Sequence, residues 1–117
     1  MDDRVHEDFH STPVMRVLCI ENHHENLVAL RRMFEAIGYD VVHARNGEEA
    51  LDVLRHESVD GILLEYDLPD GTGTALRPKL KQIRPNIPVL LFAGVGVQTP
   101  FLLKFFDEYL RTGRAIS

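Results

Sequence analysis

A single cysteine, Cys19, leaves the chain no partner for an intrachain disulfide. It lies in the apolar run VMRVLCI, where a cysteine behaves as a small core hydrophobe. No histidine or nucleophile motif is arranged around it, so it is not read as catalytic. Long hydrophobic runs are missing too; none approaches the ~20 residues a bilayer span needs. The opening residues, MDDRVHEDFHST, lack the basic start and apolar middle of a signal peptide. These absences predict a cytoplasmic, reducing setting without membrane insertion. Positive charge is the scarcer sign: 13 Lys and Arg stand against 18 Asp and Glu, a formal net charge of −5. Nucleic-acid-binding domains are usually basic on one face, so no nucleic-acid partner is expected.

What is present is ordinary globular composition, 44% hydrophobic and 26% charged, in 117 residues, enough for one domain. Residues 1–13 read as a polar N-terminal segment and residues 14–117 as the domain. Within it, β-like runs alternate with helix-period runs. Residues 14–21 read as a buried strand. Leu27, Leu30, Phe34 and Ile37 then recur at helical spacing, with Gly38 as the stop. A second strand is expected over residues 39–44. Asn46-Gly47 forms a turn, and Glu48 and Glu49 suit the first turn of a second helix. The third strand covers residues 59–64 and runs into an Asp-, Gly- and Pro-rich loop. A third helix spans residues 74–83, with Pro78 expected near its start. A fourth strand spans residues 87–93. Thr99-Pro100 opens a short fourth helix, and residues 109–112 read as a short fifth strand. This alternation implies a doubly wound α/β sandwich around a parallel sheet. In such sheets, sites gather beyond the carboxyl ends of the strands. Here those ends are Glu21-Asn22, Glu65, Ala93-Gly94 and Thr112.

At those residues the chain resembles the receiver domain of two-component response regulators. The resemblance spans about residues 15–113 and rests on VLCIEN, YDVVHARNGEEAL, VDGILLEYDLPDGTG, IPVLLFAG and DEYLRTG. It implies a flavodoxin-like fold with about five parallel strands. It also implies phosphotransfer from a partner histidine kinase to an aspartate at the third strand end. In the family an acidic pair helps hold magnesium, and a hydroxyl and a lysine grip the phosphoryl group. Charge neutralisation explains those parts, because one anion must attack another.

Carried over residue by residue, the acidic pair falls on Glu21 and Asn22 and the phosphoacceptor on Glu65. The hydroxyl falls on Ala93 and the lysine on Thr112. Every position departs from the common pattern. Glu65 carries an extra methylene, Asn22 lacks a charge, Ala93 lacks a hydroxyl and Thr112 lacks a cation. If residues 109–112 were a strand, Arg111 would point to the opposite face and miss the site. The expectation is a pseudo-receiver, not an enzyme, that binds no cofactor and no magnesium. It would act by contact with a histidine kinase, an output protein or a second copy of itself. The alternatives are a phosphoreceiver using Asp67 or Asp70, or Glu65 as a permanent mimic of phosphoaspartate.

A receiver also ends with a helix after the fifth strand, and only five residues follow Thr112. With that helix missing, the sheet beside the first helix should stay partly open. The N-terminal segment with Val5 and Phe9, or a second copy, could then cover it. The apolar run from Phe101 to Phe106 points the same way. His23-His24, and His6 with His10, are read as solvated side chains rather than metal ligands. DGTG at residues 70–73 is a turn, not a phosphate loop.

Overall fold

Short runs of branched and long apolar residues, each closed by a helix on one face or the other, build the sheet. The computed structural model describes residues 14–113. The strands are β1 (Arg16–Ile20), β2 (Asp40–Ala44), β3 (Gly61–Glu65) and β6 (Val89–Phe92). They pair in the order β2-β1-β3-β6, all parallel. A small antiparallel hairpin, β4 (Asp67–Leu68) with β5 (Gly71–Thr72), follows β3. The helices are α1 (His24–Ala36), α2 (Gly47–His56), α3 (Gly73–Ile83) and α4 (Thr99–Thr112).

Local chemistry sets the helix starts. The Asn46 side chain accepts from the Glu49 N–H at 2.8 Å and caps α2. The Thr72 hydroxyl does the same for Ala75 in α3. Pro78 falls inside α3 rather than near its start, because the helix begins at Gly73. Its surroundings are exposed, so water can serve the carbonyl that the missing N–H leaves free.

Alternation along the strands divides the core in two. Leu18, Ile20, Ile62 and Leu64 face α2 and α3, with Leu54, Leu76 and Leu80 opposite. Val17, Cys19, Leu63 and Phe92 face the other way, against Leu30 and Phe34 of α1 and Leu103 and Phe106 of α4. Burial pushes the Cys19 thiol up to about 12, consistent with an inert core position.

The C-terminal part departs from expectation. The described residues form four parallel strands, not five, and residues 109–112 are the last turn of a continuous helix. Leu103, Phe106 and Leu110 recur on one side of α4, so helical spacing outweighs any strand tendency, and Gly113 ends the helix with φ 70°. The helix also lies where the sheet was expected to be open, beside α1. Gly61 explains the fit. A Cβ there would lie 2.8 Å from Leu110 Cδ2 and 3.0 Å from Phe106 Cζ, so only glycine lets α4 approach β3 so closely. The chain therefore covers that flank with its own helix. Val5 and Phe9, expected as an alternative cover, lie outside the described residues.

Polar contacts hold α4 in register. The buried Tyr39 hydroxyl donates to Asp107 Oδ1 at 2.6 Å. Arg111 Nε donates to the same oxygen at 2.6 Å, and its guanidinium lies 5.4 Å from the Tyr39 ring centroid. Arg111 thus serves helix docking, and strand geometry is not what keeps it from the strand ends. Burial, then the Asp107 hydrogen bond, raises the Tyr39 phenol above its ordinary value of 10. The unfolded chain would then lose this proton first. Stability from this group is complete below about pH 10 and falls as pH rises further. Cys19, raised from 9.0 by burial, acts in the same direction. Denaturant titrations between neutral and alkaline pH should show declining stability above about pH 9, with a shallower decline in Tyr39→Phe. Parallel declines in the two proteins would show that the phenol is not the titrating group.

Candidate functional site

The carboxyl ends of β1, β3 and β6 meet on one edge of the sheet. Glu21 and Glu65 stand one residue beyond the last common pair, Ile20 with Leu64, so they are neighbours across β1 and β3. Both are buried, Glu21 at 0% and Glu65 at 5% exposure, and no lysine or arginine is paired with either among the described residues.

Backbone N–H groups hold Glu65 instead. Its Oε1 accepts from Gly94 at 2.9 Å and its Oε2 from Asp67 at 3.1 Å. One carboxylate therefore ties the loop after β3 to the loop after β6. The tight entry into α3 reinforces this corner. The Gly73 N–H donates to the Tyr66 carbonyl at 2.7 Å, and a Cβ on Gly73 would lie 2.5 Å from the Glu65 carbonyl oxygen.

Glu21 is satisfied on one side only. Its Oε2 accepts from the His23 N–H at 3.2 Å, with His23 Nδ1 3.5 Å away. Its Oε1 has no hydrogen-bond partner among the described residues. Asn22 and Ala93 are exposed, and Ala93 brings only a methyl group to the edge. The two remaining acidic candidates do different things. Asp67 is exposed and begins β4. Asp70 accepts from the N–H groups of Gly47 at 2.9 Å and Glu48 at 3.0 Å, capping α2 from across the edge. The Gly47 hydrogen bond leads the causes that hold its carboxyl below the usual range.

Thr112 is not at this edge. It lies in the last turn of α4, where its hydroxyl donates to the Glu108 carbonyl at 2.8 Å. The lysine position that the resemblance placed on it has no strand to stand on, because residues 109–112 are helical. Lys81, on α3, donates to the Ile87 carbonyl at the entry to β6, the opposite end of the strand. The donor set for a cation is correspondingly thin. It consists of two carboxylates and a neutral amide, and no three His, Cys, Asp or Glu side chains converge among the described residues. Against the acidic pair and aspartate that the resemblance implies, this edge carries Glu21, Asn22 and Glu65.

Residues 17–105 match the family model described as the response regulator receiver domain. The chain belongs to that family. The receiver is 34% identical over 100 residues to the polar-differentiation response regulator DivK of Brucella anthropi, covering 83% of this chain and 76% of that protein. It is 31% identical over 115 residues to the aerobic respiration control sensor protein ArcB of Escherichia coli. That match takes in 97% of this chain but only 14% of ArcB. A CheY-like receiver domain from Methanospirillum hungatei superimposes with a TM-score of 0.75 at 22% identity, over 85% of this chain and 95% of that one. The receiver domain of a sensor histidine kinase from Pseudomonas aeruginosa, which carries a magnesium ion in its active-site cleft, gives 0.74 at 15% identity. That match covers 86% and 100% of the two chains. These likenesses show a flavodoxin-like fold. They leave the chemistry of this receiver's edge to its own residues.

Two features of the edge escaped sequence reasoning. The backbone N–H of Gly94 engages Glu65 although Ala93 has no hydroxyl, and Asp70 is tied up as a helix cap. The clustered glycines of DGTG and AGVG hinted at close backbone approach. They could not say which side chain would be approached.

Proposed function

We propose that this receiver is a cytoplasmic pseudo-receiver of two-component signalling that works by protein contact, without phosphotransfer and without magnesium. Its partner is a histidine kinase, an output protein or a second copy, not nucleic acid, and it is not an enzyme. The observation that carries this reading is the state of Glu65. It is buried, and both of its oxygens already accept backbone hydrogen bonds. A carboxylate held there from the outset cannot serve as a switch in the way a phosphorylatable aspartate does. The surrounding charges agree. Among the described residues no lysine or arginine forms an ion pair with Glu65, and Ala93 offers no hydroxyl to an incoming phosphate.

The Glu65–Gly94 contact also supports a more specific form of this reading. Glu65 links the loop after β3 to the loop after β6, as a phosphoryl group would through a hydroxyl, and so fixes one conformation permanently. The phosphoreceiver alternative is weaker, since the Asp70 carboxylate is committed to α2 and Asp67 is exposed beside the edge.

Incubation with acetyl phosphate and magnesium, followed by intact-mass measurement, should leave the mass unchanged. A stable gain of one phosphoryl group on Asp67, Asp70 or Glu65 would overturn the proposal. In the same preparation Glu65→Gln separates the two forms. If Glu65 fixes the loop, amide resonances over residues 93–98 shift in the variant. If it does not, only the immediate neighbours respond.

A further inference from the structure

Among the described residues, β6 has a neighbouring strand on one side only. The Pro88 carbonyl accepts from Ile62 and the Phe92 carbonyl from Tyr66, so residues 88, 90 and 92 turn their backbone groups toward β3. By the alternation of a parallel ladder, Val89 and Leu91 present their N–H and C=O groups to the other side. Neither has a backbone partner there among the described residues. Natural edges are usually blunted by charge or by a proline within the strand. β6 reads VLLF, with Pro88 only at its entry.

A groove of ≈ 320 Å³ lies along this edge. Its two walls belong to helices packed on opposite faces of the sheet. On one face α4 supplies Phe105, Phe106 and Tyr109. On the other, α3 supplies Arg77 and Lys81. The sequence of α3 holds Arg77, Lys79 and Lys81 and no acidic residue. Neither Arg77 nor Lys81 forms an ion pair among the described residues. This wall is therefore basic in a chain whose formal net charge is −5. Burial, and then the charge of Arg77, holds the Lys81 ammonium below its usual value, as befits a cation without a counter-charge.

A strand laid against Val89 and Leu91 would send alternate side chains to the two faces. The walls ask for different chemistry, acidic toward α3 and apolar toward α4. The spacings agree with this. Arg77 and Lys81 stand one helical turn apart, about 6 Å along the axis, and so do Phe105 and Tyr109. Alternate residues of a strand are about 6.6 Å apart. Two acids separated by one residue can thus meet both cations, while the residues between and beyond them meet both rings. A second copy of β6 fits poorly. It brings no acid, and antiparallel pairing about a twofold axis would set the two basic walls together.

We propose that the outer edge of β6 docks an extended segment of a partner protein in which acidic and apolar residues alternate. Backbone hydrogen bonds to Val89 and Leu91 join the segment to the sheet, its acids pair with Arg77 and Lys81, and its apolar residues cover Phe105 and Tyr109. In such strand addition the main chain supplies affinity and the alternate side chains supply specificity. This rests on the reading that the receiver works by protein contact, but not on the state of Glu65. A phosphoryl adduct in the mass measurement would sink the phosphate-independent reading and leave this edge untouched.

Residue-resolved amide exchange on the full chain tests the docking, with an acetylated and amidated Glu-Val-Glu-Phe-Glu-Val peptide as the probe. At saturating peptide, Val89 and Leu91 should exchange at least about tenfold more slowly, while Leu90 and Phe92, whose amides face β3, stay as they were. The same peptide with Lys in place of each Glu should bind at least about tenfold more weakly. Arg77→Glu, at an exposed position, should narrow that difference at least about threefold with Leu90 and Phe92 still protected. Unchanged exchange at Val89 and Leu91 in millimolar peptide would overturn the proposal, and so would equal binding of the two peptides. Protection of both amides before peptide is added would also overturn it, because the edge is then already taken. The occupant would be the chain itself if that protection ignores protein concentration, and a second copy if it grows with it.

Discussion

Phe106→Ala is expected to lower the free energy of unfolding by about 3–5 kcal/mol, the range for deleting a buried aromatic ring. Phe106 is 3% exposed and belongs to the cluster that joins α4 to α1 and β3. Its ring also packs over Gly61 beside Leu110, so its removal loosens the contact between α4 and β3. Phe105, one residue earlier, is the natural control. It is 41% exposed, and its truncation should cost about 1 kcal/mol or less. Urea titrations followed by far-ultraviolet dichroism would measure both. If α4 detaches before the rest unfolds, the Phe106→Ala transition will also lose steepness, because less surface is left to expose. A loss under about 1 kcal/mol would show that α4 contributes little to the fold.

Gly73→Ala is expected to be the most damaging single-methyl change, costing about 2–3 kcal/mol. The added Cβ would lie 2.5 Å from the Glu65 carbonyl oxygen, 2.7 Å from Leu91 Cδ1 and 3.1 Å from Leu64 Cγ. The nearest obstacle is backbone at the end of a central strand, which cannot swing aside as a side-chain tip can. Relief requires β3 and α3 to separate at the point where Glu65 reaches Gly94 and Asp67. The variant should therefore shift the amide resonances of Gly94 and Asp67 as well as lower stability. Thr74→Ala, at the exposed next residue, should stay within about 0.5 kcal/mol of the wild type. Equal stabilities for the two variants would mean that the corner has slack that the static geometry does not show.

The two variants probe opposite faces of one design. Both α4 and α3 approach β3 through glycine, Gly61 on one face and Gly73 at its exit. Losing a fifth strand among the described residues did not leave the sheet flank bare, because α4 fills it. The exposed backbone moved outward instead, to the far edge of β6.

Much of this was legible in the linear chain. Alternating and helical periods located four parallel strands and four helices, and the motif around Glu65 located the edge where receiver chemistry belongs. Local patterns suffice for these because helix caps, turn residues and apolar periods act within a few residues. The replacement of the family's aspartate, hydroxyl and second acid by Glu65, Ala93 and Asn22 could also be read directly. The tertiary structure alone decided the rest. Residues 109–112 contain too few apolar positions to fix strand or helix on their own. Packing of Leu110 over Gly61 and the Tyr39–Asp107 hydrogen bond chose the helix. The partner of Glu65 likewise depends on which backbone N–H the loop after β6 presents. That is set by contacts between segments some thirty residues apart, which no local pattern encodes.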